Sequence, residues 1–403
     1  MSAQTHDKLA ELGPLRLGKD TAGRVSILSL GAGALGLILT VGAMLSEELR
    51  DQALHSYLVA FLFVATLAVG SLFFVMLQHL VGAVWSVTVR RVAEIAASTL
   101  PLLALLFVPI AFQVGHLYPW AGHAAHEPLV EAKAGYLNTP FFLVRAVLYL
   151  LLWGGLGWFY YSRSVQLDAS GDPLLLLRLR RLSAPAILLW AIAVTFAGFD
   201  WIMSLAPEWY STIFGVYVFA GTMTSTLSML VLMAVLLARQ GLLREAITTE
   251  HYHDLGKLMF GFVVFWTYIA YSQFMLIWYS NIPEETRWFA DRWVGSWASL
   301  SVLLIFLQFV IPFFGLLSRN AKRSPVILPV MAGILLVGHL VDLHWLVMPQ
   351  LHRHGVSLHW LDVTALVGTC GLFVGVVARR MSQVPLLPVQ DPFLPASLEF
   401  ENA

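Results

Sequence analysis

The chain has 403 residues, of which 58% are hydrophobic and only 12% charged, with a mean hydropathy of +0.75 and no formal net charge. Soluble domains are nearer half apolar and a quarter charged, so lipid is the natural solvent, and the balanced charge supplies neither a basic field for nucleic acid nor an acidic tail. A single cysteine, Cys370, excludes an internal disulfide and a four-cysteine iron–sulfur site within this chain alone.

The first 24 residues are polar. The apolar run after them is longer than a signal-peptide core and lacks a small-x-small cleavage site, so it is expected to remain as a first helix. Crossing a hydrocarbon core of roughly 30 Å takes about 20 apolar residues. Runs of that length predict an all-α integral membrane protein of ten transmembrane helices, over 25–45, 57–80, 92–114, 141–161, 184–204, 213–237, 257–279, 294–317, 326–347 and 359–378. The division that follows is a cytoplasmic segment 1–24, a transmembrane domain 25–378 and a short, proline-punctuated cytoplasmic tail 379–403. No short-period repeat stands out.

Lys and Arg gather on the cytoplasmic side of membrane proteins. With the N-terminus inside, eighteen of the 24 fall in inner segments, Arg90 and Arg91 among them. Five, Arg50, Lys133, Arg287, Arg292 and Arg353, fall in outer loops. Both termini are therefore expected in the cytoplasm. The longest polar stretch is the outer loop 115–140, so no soluble domain is expected, and contact with soluble redox proteins calls for partners.

An ionisable side chain at mid-bilayer costs on the order of 2.5–3.5 kcal/mol, so each one asks for a partner, water or a function. Arg145, Asp200, Gln273, His339, Asp342, His344 and Asp362 fall in the outer half of this topology, whereas His79 and Glu94 lie toward the inner half as candidates for proton entry. An outer set of Arg, Asp and His can orient a quinone head group and accept its protons; it can equally be a structural ion-pair network. Arg145 and Asp200 can snorkel or pair for packing. His339 and Asp342, three residues apart, share a helix face, so the carboxylate can simply satisfy the imidazole. His344 and Asp362 sit near the interface, Glu94 lies within a turn of the inner end where water can reach it, and His79 can be a packing histidine. Trp153, Trp158, Trp190, Trp266 and Trp278 read as interface belt and core.

A b-type haem needs axial histidines from two facing helices at matching depth. His339 and His344 sit about 140° apart on one helix, and His79 is at the other side of the membrane. His116, His123 and His126 have loose metal-like spacing, but without cysteines or a clear fourth ligand they read as a solvated loop.

Two long stretches carry a family pattern. The first is Phe199-Asp200-Trp201-Ile202-Met203-Ser204-Leu205 with Pro207-Glu208-Trp209-Tyr210-Ser211-Thr212-Ile213-Phe214-Gly215. The second begins His253-Asp254-Leu255-Gly256-Lys257-Leu258, runs through Phe265-Trp266-Thr267-Tyr268 and Gln273-Phe274-Met275-Leu276-Ile277-Trp278-Tyr279, and closes with Asn281-Ile282-Pro283-Glu284-Glu285. With Tyr118-Pro119-Trp120 and Tyr136-Leu137-Asn138, these resemble the second large membrane subunit of bacterial alternative complex III, a quinol:electron-acceptor oxidoreductase, across helices two to ten. The resemblance implies an NrfD-like fold similar to the membrane subunit of polysulfide reductase, its middle eight helices forming two four-helix bundles with flanking helices. It also implies residence in the bacterial cytoplasmic (inner) membrane beside a paralogous NrfD-like subunit, an iron–sulfur subunit, cytochrome c subunits and smaller membrane subunits. Iron–sulfur clusters and haem c would belong to those partners; this chain alone is expected to bind no cofactor, with quinone or quinol the small molecule nearest to it. Catalysis would belong to the assembly, with this subunit supporting proton transfer and anchoring redox partners. By resemblance, Asp200 and Gln273 are the positions that carry over. A carboxamide does not titrate, so Gln273 can only orient a head group or water. A stand-alone proton-coupled transporter is the alternative class, and it requires paired glycine or proline breaks in two related halves. Gly154-Gly155 and Pro101 are the candidates, and no paired pattern is visible.

Overall fold

The computed structural model describes residues 15–122, 124–125 and 127–402; His123 and His126, two of the three loop histidines considered as metal ligands, lie outside them. Among the described residues there is no strand. Ten helices are long and apolar enough to cross a membrane: α1 (Lys19–Ala43), α2 (Arg50–Val81), α3 (Val87–Phe112), α4 (Thr139–Ser170), α5 (Pro173–Leu205), α6 (Phe214–Arg239), α7 (Thr249–Ser280), α8 (Ser296–Leu316), α9 (Ile327–Gln350) and α10 (Trp360–Gln383). The chain is an all-helical, multi-pass membrane protein.

Several helices outrun their hydropathy spans. α4 continues to Ser170 instead of ending near 161, and α5 begins at Pro173 instead of 184. The cause is local. Helical hydrogen bonding continues past the apolar edge until a cap stops it: the Asp172 carboxylate accepts from the Leu174 N–H at 2.9 Å, with Pro173 at the first helical position. Thr248 likewise caps α7 in a reciprocal box with His251, so that the helix begins at Thr249, eight residues before the predicted start at 257. Two helices are irregular inside the membrane. α3 breaks at Ser98–Thr99, just before Pro101, and α8 contains a π turn at Phe306–Val310 followed by Pro312.

The two innermost helices are α2 and α6, which pack on each other. Around α2 lie α3, α4 and α5; around α6 lie α7 and α9, with α8 against α7 and α9. α1 packs chiefly on α10, where small residues allow close approach: a methyl on Gly36 would come 2.5 Å from the Thr364 carbonyl oxygen. The rims carry Leu28, Ile38, Leu151, Trp278 and Phe314 exposed, as a lipid-facing surface requires.

Both described ends meet on one face, here the terminal face. Leu17 N–H bonds the Met381 carbonyl at 3.0 Å and Leu386 N–H bonds the Leu15 carbonyl at 2.8 Å. The short, proline-punctuated tail packs back onto the helices. α10 runs to Gln383, and Leu386, Leu387, Leu394 and Leu398 beyond it are buried. Apolar side chains at that spacing gain more against the helix ends than in water.

Candidate functional site

Helix α6 carries Gly221-Thr222-Met223-Thr224-Ser225-Thr226-Leu227-Ser228, every residue buried. The hydroxyls are satisfied largely within the helix: Thr224 bonds the Ala220 carbonyl at 2.9 Å and Ser228 the Thr224 carbonyl at 2.7 Å. Their small size lets α2 approach so closely that a methyl on Gly70 would lie 2.1 Å from Thr226 Oγ1. This seam fixes one wall of a polar centre.

The other wall is α9, which places His339 and Asp342 near its middle, both about 2% exposed. They do not satisfy one another as their spacing suggested. His339 Nε2 bonds Thr66 Oγ1 of α2 at 2.9 Å, whereas Asp342 Oδ1 accepts from the Tyr217 phenol of α6. Side chains three apart on a helix diverge enough to reach different neighbours, and here each neighbour offers a better-placed hydroxyl. Thr66 in turn donates to the Phe63 carbonyl at 2.9 Å. With its one proton directed there, Thr66 receives the hydrogen bond from His339 Nε2–H, which leaves Nδ1 of a neutral ring as a bare acceptor. Nδ1 has no hydrogen-bond partner among the described residues. The Trp266 indole N–H approaches the Asp342 carboxyl group without closing a full hydrogen bond, and its ring lies 5.7 Å from that of Tyr217. No Lys or Arg among the described residues pairs with Asp342.

Asp200 belongs to a separate centre. Arg145 Nε and Nη2 hold its two oxygens at 2.8 and 2.9 Å, and the Tyr149 phenol donates to Oδ2 at 2.8 Å. The guanidinium stacks on Tyr136 at 3.8 Å and Phe141 at 4.3 Å, and it also bonds the Tyr136 carbonyl. Arg145 does not snorkel; it is buried by its carboxylate. Asp200 and Asp342 share no hydrogen-bond partner. Between the two centres lies a cavity of about 30 Å³ lined by Thr66, Trp153, Trp201 and Thr222, room for about one water. The indole N–H groups of Trp153 and Trp201 have no partner among the described residues.

The remaining predicted residues are scattered. Gln273 accepts from Ser211 at 3.2 Å. Asp362 caps its own helix at the His359 N–H and receives Ser56 and Gln52 of α2 at 2.5 and 3.3 Å. His344 packs on Trp297, with Nε2 unpartnered. His79 stands beside the Tyr160 ring with Nε2 unpartnered, on the terminal half. Glu94 is buried, so the reading in which water reaches it does not hold. It is buried with Arg90 and Arg91 at 3.1 and 3.0 Å, and these bind Asp391 and Asp168 respectively. Arg90 and Arg91, counted as loop cations from sequence, lie inside helix α3.

Sequence reasoning missed four features. The hydroxyl run of α6 was visible as text but reads as bland core. Tyr217 has no signal except its burial. Gln308 sits in the π turn of α8, fully buried, with both amide atoms unpartnered among the described residues, against Gly338. Arg292, counted as an outer-loop cation, is buried, stacks on Trp288 at 3.4 Å and donates to the carbonyls of Trp288, Trp345 and Leu346. Burial pushes its guanidinium down to about 9, still cationic at neutral pH.

Scans of the chain against protein-family models and against curated proteins return no match.

Proposed function

We propose that this chain is the second large membrane subunit of an alternative-complex-III-type quinol:acceptor oxidoreductase, in which it supports proton transfer and anchors redox partners. The observation that carries this reading is Asp342: an acid deep among the membrane helices, held by a phenol and beside a histidine with one nitrogen open, with no basic side chain bonded to it among the described residues. Such an acid can gain and lose a proton without breaking an ion pair. Asp200, locked to Arg145, is read as the anchor that shapes the neighbouring wall. The grouping of α3, α4 and α5 about α2 and of α7, α8 and α9 about α6 supports the two-bundle layout of an NrfD-like subunit. In this reading the subunit sits in the bacterial inner membrane with both termini cytoplasmic, and quinone chemistry, iron–sulfur clusters and haem c belong to the assembly. The irregular points, at Ser98–Thr99 in α3 and at Phe306–Val310 in α8, fall on the second helix of one group and the third of the other, so they do not make the paired breaks that a transporter would need.

Purification from native membranes through a tag on this chain tests the reading. The expected result is co-purification of iron–sulfur and cytochrome c polypeptides with quinol-oxidising activity. Recovery of this chain alone, or as a homo-oligomer active in transport, overturns it.

A further inference from the structure

Gly221 of α6 faces the His339–Asp342 centre where any side chain would intrude. A Cβ built there would lie 3.3 Å from His339 Nδ1 and Cε1 and 3.7 Å from Asp342 Oδ2. The two polar atoms nearest this point are the histidine nitrogen without a partner and the carboxylate oxygen that Tyr217 does not bond. Two acceptors attract each other only through a donor; the Trp266 indole N–H approaches the Asp342 carboxyl group, and no donor among the described residues bonds His339 Nδ1. The one molecule small enough to stand beside a glycine and donate to both is water, which supplies two protons in the bent geometry that two acceptors within 4 Å of one point require.

We propose that the space beside Gly221 is a water-binding site, and that the bound water bridges His339 Nδ1 and Asp342 Oδ2 into one proton-exchange unit. Gly221 is a positioning residue: its missing side chain makes room for the water, and the backbone of α6 holds Tyr217 one turn earlier on the same carboxyl group. Thr66 completes the unit by fixing the tautomer of His339, so that the open nitrogen is the one that faces the water. In a transfer, the proton on the Asp342 carboxyl passes to the water oxygen as a water proton passes to Nδ1; one O–H bond breaks as each new bond forms, and no charge leaves the unit. The proton-transfer role rests on the functional reading above, whereas the water site does not.

The test compares Gly221→Ala with Gly221→Ser in the full chain, in whatever assembly it purifies with. Both substitutions add the same Cβ against His339. Helix propensity favours alanine over serine, and a purely steric site penalises serine at least as much. Bound water reverses that order, because alanine expels the water and leaves two buried acceptors unsatisfied, while serine puts a hydroxyl near the water's place. The expected result is a Tm several degrees below wild type for Gly221→Ala, with much of the loss recovered by Gly221→Ser. Serine no better than alanine, or alanine at or above the wild-type Tm, overturns the water site. Quinol oxidation and proton release in the same variants report on the relay separately: the expected result is a loss in the alanine variant that serine partly restores. A serine rescue of Tm with turnover and proton release unchanged in both variants keeps the water and overturns its role in proton transfer.

Discussion

Arg145 grips both carboxylate oxygens of Asp200, at 2.8 and 2.9 Å, whereas the carboxyl group of Asp342 receives the phenol of Tyr217, with the Trp266 indole N–H close by and no cation bonded to it among the described residues. Two acids buried in one membrane domain are thus held by different means. One has its counter-ion, and the other has a neutral donor. The difference divides structure from chemistry: breaking the first arrangement should cost stability, and changing the second should cost proton movement.

Removing Arg145 strands a buried carboxylate. Loss of one partner of such a pair costs about 3–5 kcal/mol. Arg145→Ala should therefore destabilise the chain by that order, and Asp200→Asn by less, since the amide keeps two of the hydrogen bonds. The double replacement Arg145→Met with Asp200→Leu should recover much of the loss. Thermal unfolding of the purified protein measures all three. An Arg145→Ala variant as stable as wild type would show that the pair holds nothing together.

Asp342→Asn keeps the shape and the Tyr217 contact and removes the titrating group. A positioned general acid–base group typically contributes about 10²–10⁴-fold. Proton release coupled to quinol oxidation should fall by at least about tenfold in a complex that retains all of its subunits, and Tyr217→Phe should show a smaller fall. Unchanged turnover and proton release across pH 6 to 8 in both variants would make Asp342 structural.

The charge asymmetry of the loops predicts sidedness. In a chain lacking Cys370, cysteines at Ala132 and Glu284 should react with an impermeant thiol reagent added to intact cells, and cysteines at Ser170 and Asn320 should not. All four positions are exposed, and the first two lie on the face opposite the termini. Labelling of the second pair alone would reverse the topology.

The helices were legible in the sequence because crossing a membrane leaves a plain mark: about 20 apolar residues, ten times over. Their ends were not, because the caps at Asp172 and Thr248 act by one or two local hydrogen bonds that hydropathy does not see. At the candidate site, the expensive residues were legible and their partners were not. His339 and Asp342 stand out as polar groups in an apolar helix, but Thr66 and Tyr217 are ordinary residues of α2 and α6 until the fold brings them into contact. Spacing along one helix allows a His339–Asp342 bond that the fold does not form, since tertiary neighbours supply better partners. Arg90 and Arg91 failed for a similar reason. Their depth is compensated by Asp168 and Asp391, the second of which is 301 residues away from Arg90.

On the terminal face two guanidiniums, of Arg90 and Arg91, meet three carboxylates, of Glu94, Asp168 and Asp391. The cluster carries one negative charge in excess, so its members are not equivalent. Taking away Arg90 leaves three acids against one base among buried groups, and should cost on the order of 3–5 kcal/mol. Taking away the charge of Asp391 balances the cluster, so Asp391→Asn should cost only the weakened bond to Arg90, about 1–3 kcal/mol. Deleting the tail after Val384 should cost more than Asp391→Asn, because it also bares the contacts of Leu386, Leu387, Leu394 and Leu398 and removes the Ser397 hydroxyl from the Trp85 carbonyl. The order expected in thermal unfolding, followed by tryptophan fluorescence, is Arg90→Ala and the deletion well below Asp391→Asn, with Asp391→Asn closest to wild type. If Asp391→Asn proves as damaging as Arg90→Ala, the excess-charge argument fails, and the tail is held by the ion pair itself rather than by its apolar contacts.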